Sequence, residues 1–218
     1  MADTSDITAL DLAALIASRV CHDIISPVGA INNGLEVLAE EGQSEDMREF
    51  AMDLIRKSAR QASAKLQFAR LAFGAAGSAG ASIDLGDAET VAKGFMAGEK
   101  ASLEWTATRV LMPKNLVKLL LNLILISGHA IPRGGVIEVV VSGAAEAPTF
   151  ELTCRGTNAR IPAGVEDALA GIGEHFDAHS IQPIYAGLLA KAAGMDVRVE
   201  KDGDVVRFRA TPVVVEAA

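Results

Sequence analysis

The chain has 218 residues, enough for one large domain or two small ones at about 100–150 residues each. Half of it is hydrophobic and only 4% is aromatic, so it can bury a sizeable core, and its apolar content leans on Ala and Leu, which suit helices. Lys and Arg number 20 against 28 Asp and Glu, a net charge of −8. That excludes a nucleic-acid binder driven by phosphate neutralisation, which needs a basic face. The longest apolar stretch, residues 116–131, is interrupted by Lys118, Asn122, Ser127, Gly128 and His129. It falls short of the roughly 18–20 unbroken apolar residues of a membrane span. The acidic N-terminus lacks the apolar run of a signal peptide. Two cysteines, Cys21 and Cys154, match no zinc or redox spacing. Together these features predict a cytoplasmic protein with no membrane partner.

From Thr8 to about Glu40, Ala13, Ile16, Ala17, Val20, Ile24, Val28, Ile31, Leu35 and Leu38 recur at helical spacing. Gly42 ends this helix, and Ser44 followed by Glu45 and Asp46 opens a second. The second carries Met47, Phe50, Leu54, Ala62, Leu66, Ala69 and Phe73 on one side and stops at Gly74. Each helix would be about 45 Å long. A lone hairpin cannot bury both stripes, so a second copy is expected to complete a four-helix bundle, making a homodimer through residues 1–74. Residues 75–82 are a low-complexity break.

Beyond it the pattern is mixed. Asp84 or Asp87 can cap a short helix to about Gly98, a strand follows at 102–106, and Pro113 opens a helix to about His129. Residues 136–142 and 149–154 read as paired strands. A helix over 184–193 ends at Gly194, and 195–200 with 205–210 form a hairpin around Asp202-Gly203. Residues 83–218 are therefore expected to form an α/β sandwich of about five strands with helices on one face. The fold class is α plus α/β.

The most informative residue is His22. At about 100° per residue it points away from the apolar stripe, with Ser26, Gly29 and Asn33 within about 40° and Arg19 about 60° away. A buried core histidine conflicts with that geometry, which leaves an ordinary surface histidine or a functional one. Arg19 reads equally well as a solvated charge or as a phosphate partner.

The run His22-Asp23-Ile24-Ile25-Ser26-Pro27-Val28-Gly29-Ala30-Ile31 resembles the phosphoacceptor box of two-component histidine kinases, placed midway along the first helix of a hairpin. The resemblance implies that His22 is the phosphoacceptor and that Asp23 polarises its imidazole. Pro27, within the helix, removes one backbone hydrogen bond and is expected to kink the helix there. The second half resembles that family's Bergerat-type ATP-binding domain with eroded motifs. Asn122 matches the first asparagine of the N-box, but Ile126 stands where the Mg²⁺-holding asparagine belongs. Gly156 replaces the adenine-reading Asp, Asn158 and Arg160 replace glycines, and Ser180-Ile181-Gln182-Pro183 occupies the phosphate-wrapping loop.

A histidine-kinase-like dimer lacking ATP motifs is similar to the ChpT-type histidine phosphotransferases of alphaproteobacteria. That resemblance covers nearly the whole chain. It implies phosphoryl transfer from the receiver domain of a hybrid kinase (CckA-like) to response regulators (CtrA-like, CpdR-like). It also implies no bound cofactor, with Mg²⁺ arriving on the receiver's own acidic residues. Ser26, Gly29 and Asn33 would leave space for that receiver, with Arg19 at the phosphate. The rival readings are an active ATP-dependent kinase and a non-catalytic dimeric scaffold or kinase inhibitor. His175 and His179 sit at a spacing that could share a metal, but no further ligand cluster accompanies them, so a solvated loop or helix end is the simpler expectation and no metal site is assigned. His129, His175 and His179 are expected to be dispensable for transfer.

Overall fold

The computed structural model describes residues 7–74, 82–172 and 181–213. Helix α1 spans Ala9–Ala39 and α2 spans Glu45–Ala72. Thr8 caps α1 by accepting from the Asp11 N–H, and Ser44 caps α2 by accepting from the Met47 N–H. Between the helices Gly42 takes a φ of 84°, a conformation that side chains disfavour. The helices pack closely where Gly34 faces Ile55. A Cβ at Gly34 would lie 2.7 Å from Ile55 Cγ1 and 3.1 Å from the Ala51 carbonyl oxygen. Pro27 is buried in the same seam, and α1 continues through it.

The second unit begins with β1 (Ser82–Asp84), α3 (Leu85–Met96), β2 (Ala101–Thr106) and β3 (Leu111–Pro113). It continues with α4 (Lys114–Ala130), β4 (Gly135–Ala144), β5 (Ala147–Arg155), α5 (Val165–Leu169), α6 (Ile181–Ala192), β6 (Met195–Asp202) and β7 (Val205–Pro212). The five-stranded sheet has the order β2-β4-β5-β7-β6, with β2 parallel to β4 and every other pair antiparallel. One face is apolar. Ile137, Val139, Phe150, Leu152, Cys154, Val206, Phe208 and Ala210 are all fully buried in the core that contains α4. Their neighbours Glu138, Glu151, Arg207 and Arg209 alternate out of that core, as a half-buried antiparallel sheet requires.

Of the two candidate caps for α3, Asp84 takes the role, accepting from the Gly86 N–H at 2.7 Å. Arg109 Nε donates to both of its carboxylate oxygens at 3.0 Å. Three elements depart from the sequence expectation. The β1–β3 ribbon and α5 are too short to show a period, having three residues per strand and five in the helix. Helix α6 is already helical at Ile181, before Pro183 rather than after it. Proline is accepted in a first helical turn, where its missing N–H has no intrahelical partner.

The hairpin and the α/β unit share a core. Phe68 and Ala72 of α2 are buried with α3 and α4, and the Phe68 and Phe95 rings lie 4.5 Å apart. Asn122 Nδ2 donates to the carbonyls of Lys118 at 2.8 Å and Ala72 at 3.3 Å, stitching α4 to the end of α2. This anchoring leaves the middle of α1 and the end of α4 on two sides of a shared cleft. The outer face of the hairpin is uncovered. Leu10, Ile25, Val28 and Leu35 on α1 and Met47 and Phe50 on α2 are exposed. Helix α1 is also long and apolar enough to cross a membrane by length and composition alone, although Arg19, His22 and Asp23 sit near its middle.

Candidate functional site

His22 projects from the middle of α1 with its side chain 68% exposed. Its Nδ1 faces Asp23 Oδ1 at 3.6 Å, while Asp23 Oδ2 accepts from Arg19 Nε at 3.1 Å. The carboxylate is thus shared, one oxygen toward the ring and the other held by a guanidinium one turn earlier. The Arg19 side chain is only 14% exposed and is neither solvated nor facing outward, because α1 lies against the α/β unit there. Ser26 and Asn33 are exposed along the His22 face. At Gly29 an added Cβ would meet nothing within 4 Å, so the helix surface is open two turns from His22. Helical spacing grouped Arg19, Ser26, Gly29 and Asn33 with His22 because one continuous helix carries them, whereas Asp23, about 100° around, was named through the family resemblance.

Sequence reasoning did not reach the opposite wall. Arg19 and His22 line a cleft of 660 Å³ with His129, Arg160, Ile161 and Pro162. His129 is on the last turn of α4, and Arg160 lies in the loop after β5. His129, expected to be dispensable for transfer, lines the same cleft as His22. Only the packing of α4 on α2, which brings its last turn across the cleft from α1, reveals this; no spacing in the chain signals it. His175 and His179 lie outside the described residues. Among the described residues, no group of three or more His, Cys, Asp or Glu side chains could hold a metal.

The positions that resemble a nucleotide site do not fit ATP. Ile126 is buried in the core and offers no oxygen ligand. A Cβ at Gly156 would lie 2.4 Å from the Gly134 carbonyl oxygen, so an adenine-reading carboxylate has no room. Gln182 is buried within α6, where a glycine loop would have to wrap phosphates. Asn158, in place of a glycine, retains a positive φ of 60°, which asparagine tolerates better than most residues. Calorimetry is expected to show no saturable ATP binding at tens of micromolar. Gly156→Asp is expected to lower the melting temperature without creating such binding.

The two cysteines are unlike. Cys21 is exposed beside His22, whereas Cys154 is fully buried. Burial pushes the Cys154 thiol up to about 11, against a smaller opposing pull from the Ser127 hydroxyl. A thiol reagent at pH 8 is therefore expected to modify Cys21 in the folded protein and Cys154 only after denaturation. Two thiols reacting at the same rate in the native state would contradict this packing.

An exposed histidine, oriented by a carboxylate and carried on a helical hairpin beside an α/β unit, suits a protein that lends its imidazole to a partner's active site. The chain belongs to the histidine phosphotransferase family, whose C-terminal domain model matches residues 85–205. Its function is protein phosphotransfer within two-component signalling. The chain is 52% identical over 206 residues to protein phosphotransferase ChpT of Brucella abortus (strain 2308), across 94% of this chain and 97% of that protein. It also superposes on a solved bacterial phosphotransferase with a TM-score of 0.87 at 49% identity, covering 96% of this chain and all of that one.

Proposed function

We propose that His22 is the phosphoacceptor of a homodimeric phosphorelay intermediate, taking its phosphoryl group from a receiver aspartate and passing it to another receiver. The observation that carries this reading is the divided Asp23 carboxylate. With Arg19 on Oδ2 and the His22 ring toward Oδ1, the tautomer protonated at Nδ1 is favoured, which puts the nucleophilic lone pair on Nε2. In the forward step Nε2 forms a bond to phosphorus as the bond from phosphorus to the receiver's carboxylate oxygen breaks. The receiver leaves as a free carboxylate. The ring keeps its Nδ1 proton and becomes a phosphoimidazolium whose positive charge Asp23 stabilises. Such transfer asks mainly for in-line positioning and charge neutralisation. In this reading Mg²⁺ belongs to the receiver.

The dimer is supported by the uncovered apolar face of the hairpin, on which Leu10, Val28 and Leu35 lie about 120–140° around α1 from His22, with Ile25 at its near edge about 60° away. Residues 1–74 supply that face and residues 83–218 a degenerate histidine-kinase ATPase-like unit. A cytoplasmic setting, with CckA-like donors and CtrA-like and CpdR-like acceptors, completes the proposal. The decisive experiment mixes the protein with a ³²P-labelled receiver and maps the label. Acid-labile label at His22 supports the reading, and acid-stable label elsewhere defeats it. Gly29→Phe should weaken receiver binding about tenfold while the dimer stays folded, because the open space at Gly29 accepts the ring but a docked receiver does not. Surface plasmon resonance against an immobilised receiver checks this.

A further inference from the structure

We propose that Arg160, supplied by the α/β unit, binds the phosphoryl group at His22, with His129 beside it on the same wall of the cleft. The proposal rests on His22 being the phosphoacceptor and adds a residue on which that chemistry depends. The cleft shared by Arg19, His22, His129 and Arg160 is lined, among the described residues, by no carboxylate. That is unusual ground in a chain of net charge −8. Asp23 already neutralises Arg19 at 3.1 Å, whereas Arg160 forms no salt bridge among the described residues. The adjoining cavity, which shares Arg19, His129 and Arg160, carries Asp23 and Glu99, yet neither is within ion-pair distance of Arg160, so its guanidinium is the one in the cleft without a paired carboxylate among the described residues.

The backbone that presents Arg160 is fixed. Its N–H donates to the Ala130 carbonyl at 2.9 Å, directly beyond His129, and the Ala159 N–H donates to the Gly156 carbonyl at 3.2 Å. Ala159 is buried, while the Arg160 side chain is exposed toward the cleft. Ile161 and Pro162 give the same wall an apolar surface that limits water around a labile phosphorus–nitrogen bond. A phosphoryl group on Nε2 carries close to two negative charges. A planar guanidinium can donate to two of its oxygens at once, which an ammonium cannot match. The α/β unit thereby contributes to the transfer itself, in a place unrelated to nucleotide binding.

The test compares wild type, Arg160→Gln and Arg160→Lys in rapid-quench transfer from a ³²P-labelled receiver. Light scattering and circular dichroism confirm that each variant is intact. At saturating receiver, Arg160→Gln should slow labelling of His22 about tenfold to a hundredfold, and Arg160→Lys should recover part of the loss. A second arm follows the His22 ring by NMR while inorganic phosphate is titrated. The signals should shift saturably in wild type and lose that response in Arg160→Gln. Equal maximal rates and equal phosphate responses would overturn the proposal, as would a loss confined to receiver affinity. If wild type were never labelled at His22, the phosphoacceptor reading would fail, while a phosphate response that depends on Arg160 would still support the anion site.

Discussion

His22→Ala is expected to reduce phosphoryl acceptance from a phosphorylated receiver to background, whereas Asp23→Asn should slow it about tenfold. The difference follows from what each group does. The alanine variant has no nitrogen to form the new bond, and neither Ser26 nor Cys21 replaces it, because Cys21 projects about 100° away around α1. Asp23 acts through the ring, holding its orientation and stabilising the phosphoimidazolium, and a charge-assisted contact of that kind contributes about 1.5 kcal/mol, or about tenfold. The neutral amide introduced by Asp23→Asn would also release Arg19 from its 3.1 Å partner, so part of the effect is lost positioning. Quench-flow labelling separates the two variants. Undiminished labelling of His22→Ala would end the assignment of the phosphoacceptor.

Leu35→Asp and Phe50→Asp are each expected to convert the dimer to a folded monomer. Leu35 is 51% exposed and Phe50 65% exposed in the single chain, and neither belongs to the core shared by the hairpin and the α/β unit. Covering a large apolar side chain yields about 1.5–3 kcal/mol, and two symmetric copies double each contribution. An aspartate placed in that contact must either lose its hydration without a partner or keep the helices apart. Since each side chain faces solvent within its own chain, secondary structure and melting cooperativity should survive, which distinguishes dissociation from unfolding. Sedimentation or light scattering gives the mass and circular dichroism the fold. A wild-type chain that is monomeric at tens of micromolar would remove the four-helix bundle. A monomeric variant that still accepts phosphate on His22 would show that the dimer is not needed for chemistry, since the two faces of α1 are distinct.

The sequence by itself determined the local features of this protein. The helical period and its Ser44 and Gly42 punctuation specify two long helices, because amphipathic spacing and capping act within a few residues of the chain. The alternating strands around residues 136–154 and 195–210 were legible for the same reason. Ser26, Gly29 and Asn33 could be grouped with His22 because one helix carries all of them. Tertiary structure alone decided what long-range packing controls. It left the Arg19 side chain only 14% exposed, and buried Phe68 and Ala72 of the hairpin in the core of the second unit. It closed the Gly156 position with the Gly134 carbonyl. It also carried His129 and Arg160, more than 100 residues from His22 in the chain, into the same cleft. Contacts at such separation leave no periodic trace in a single sequence, since no local dihedral or cap depends on them; they exist only once the α/β unit is packed on the hairpin through α2.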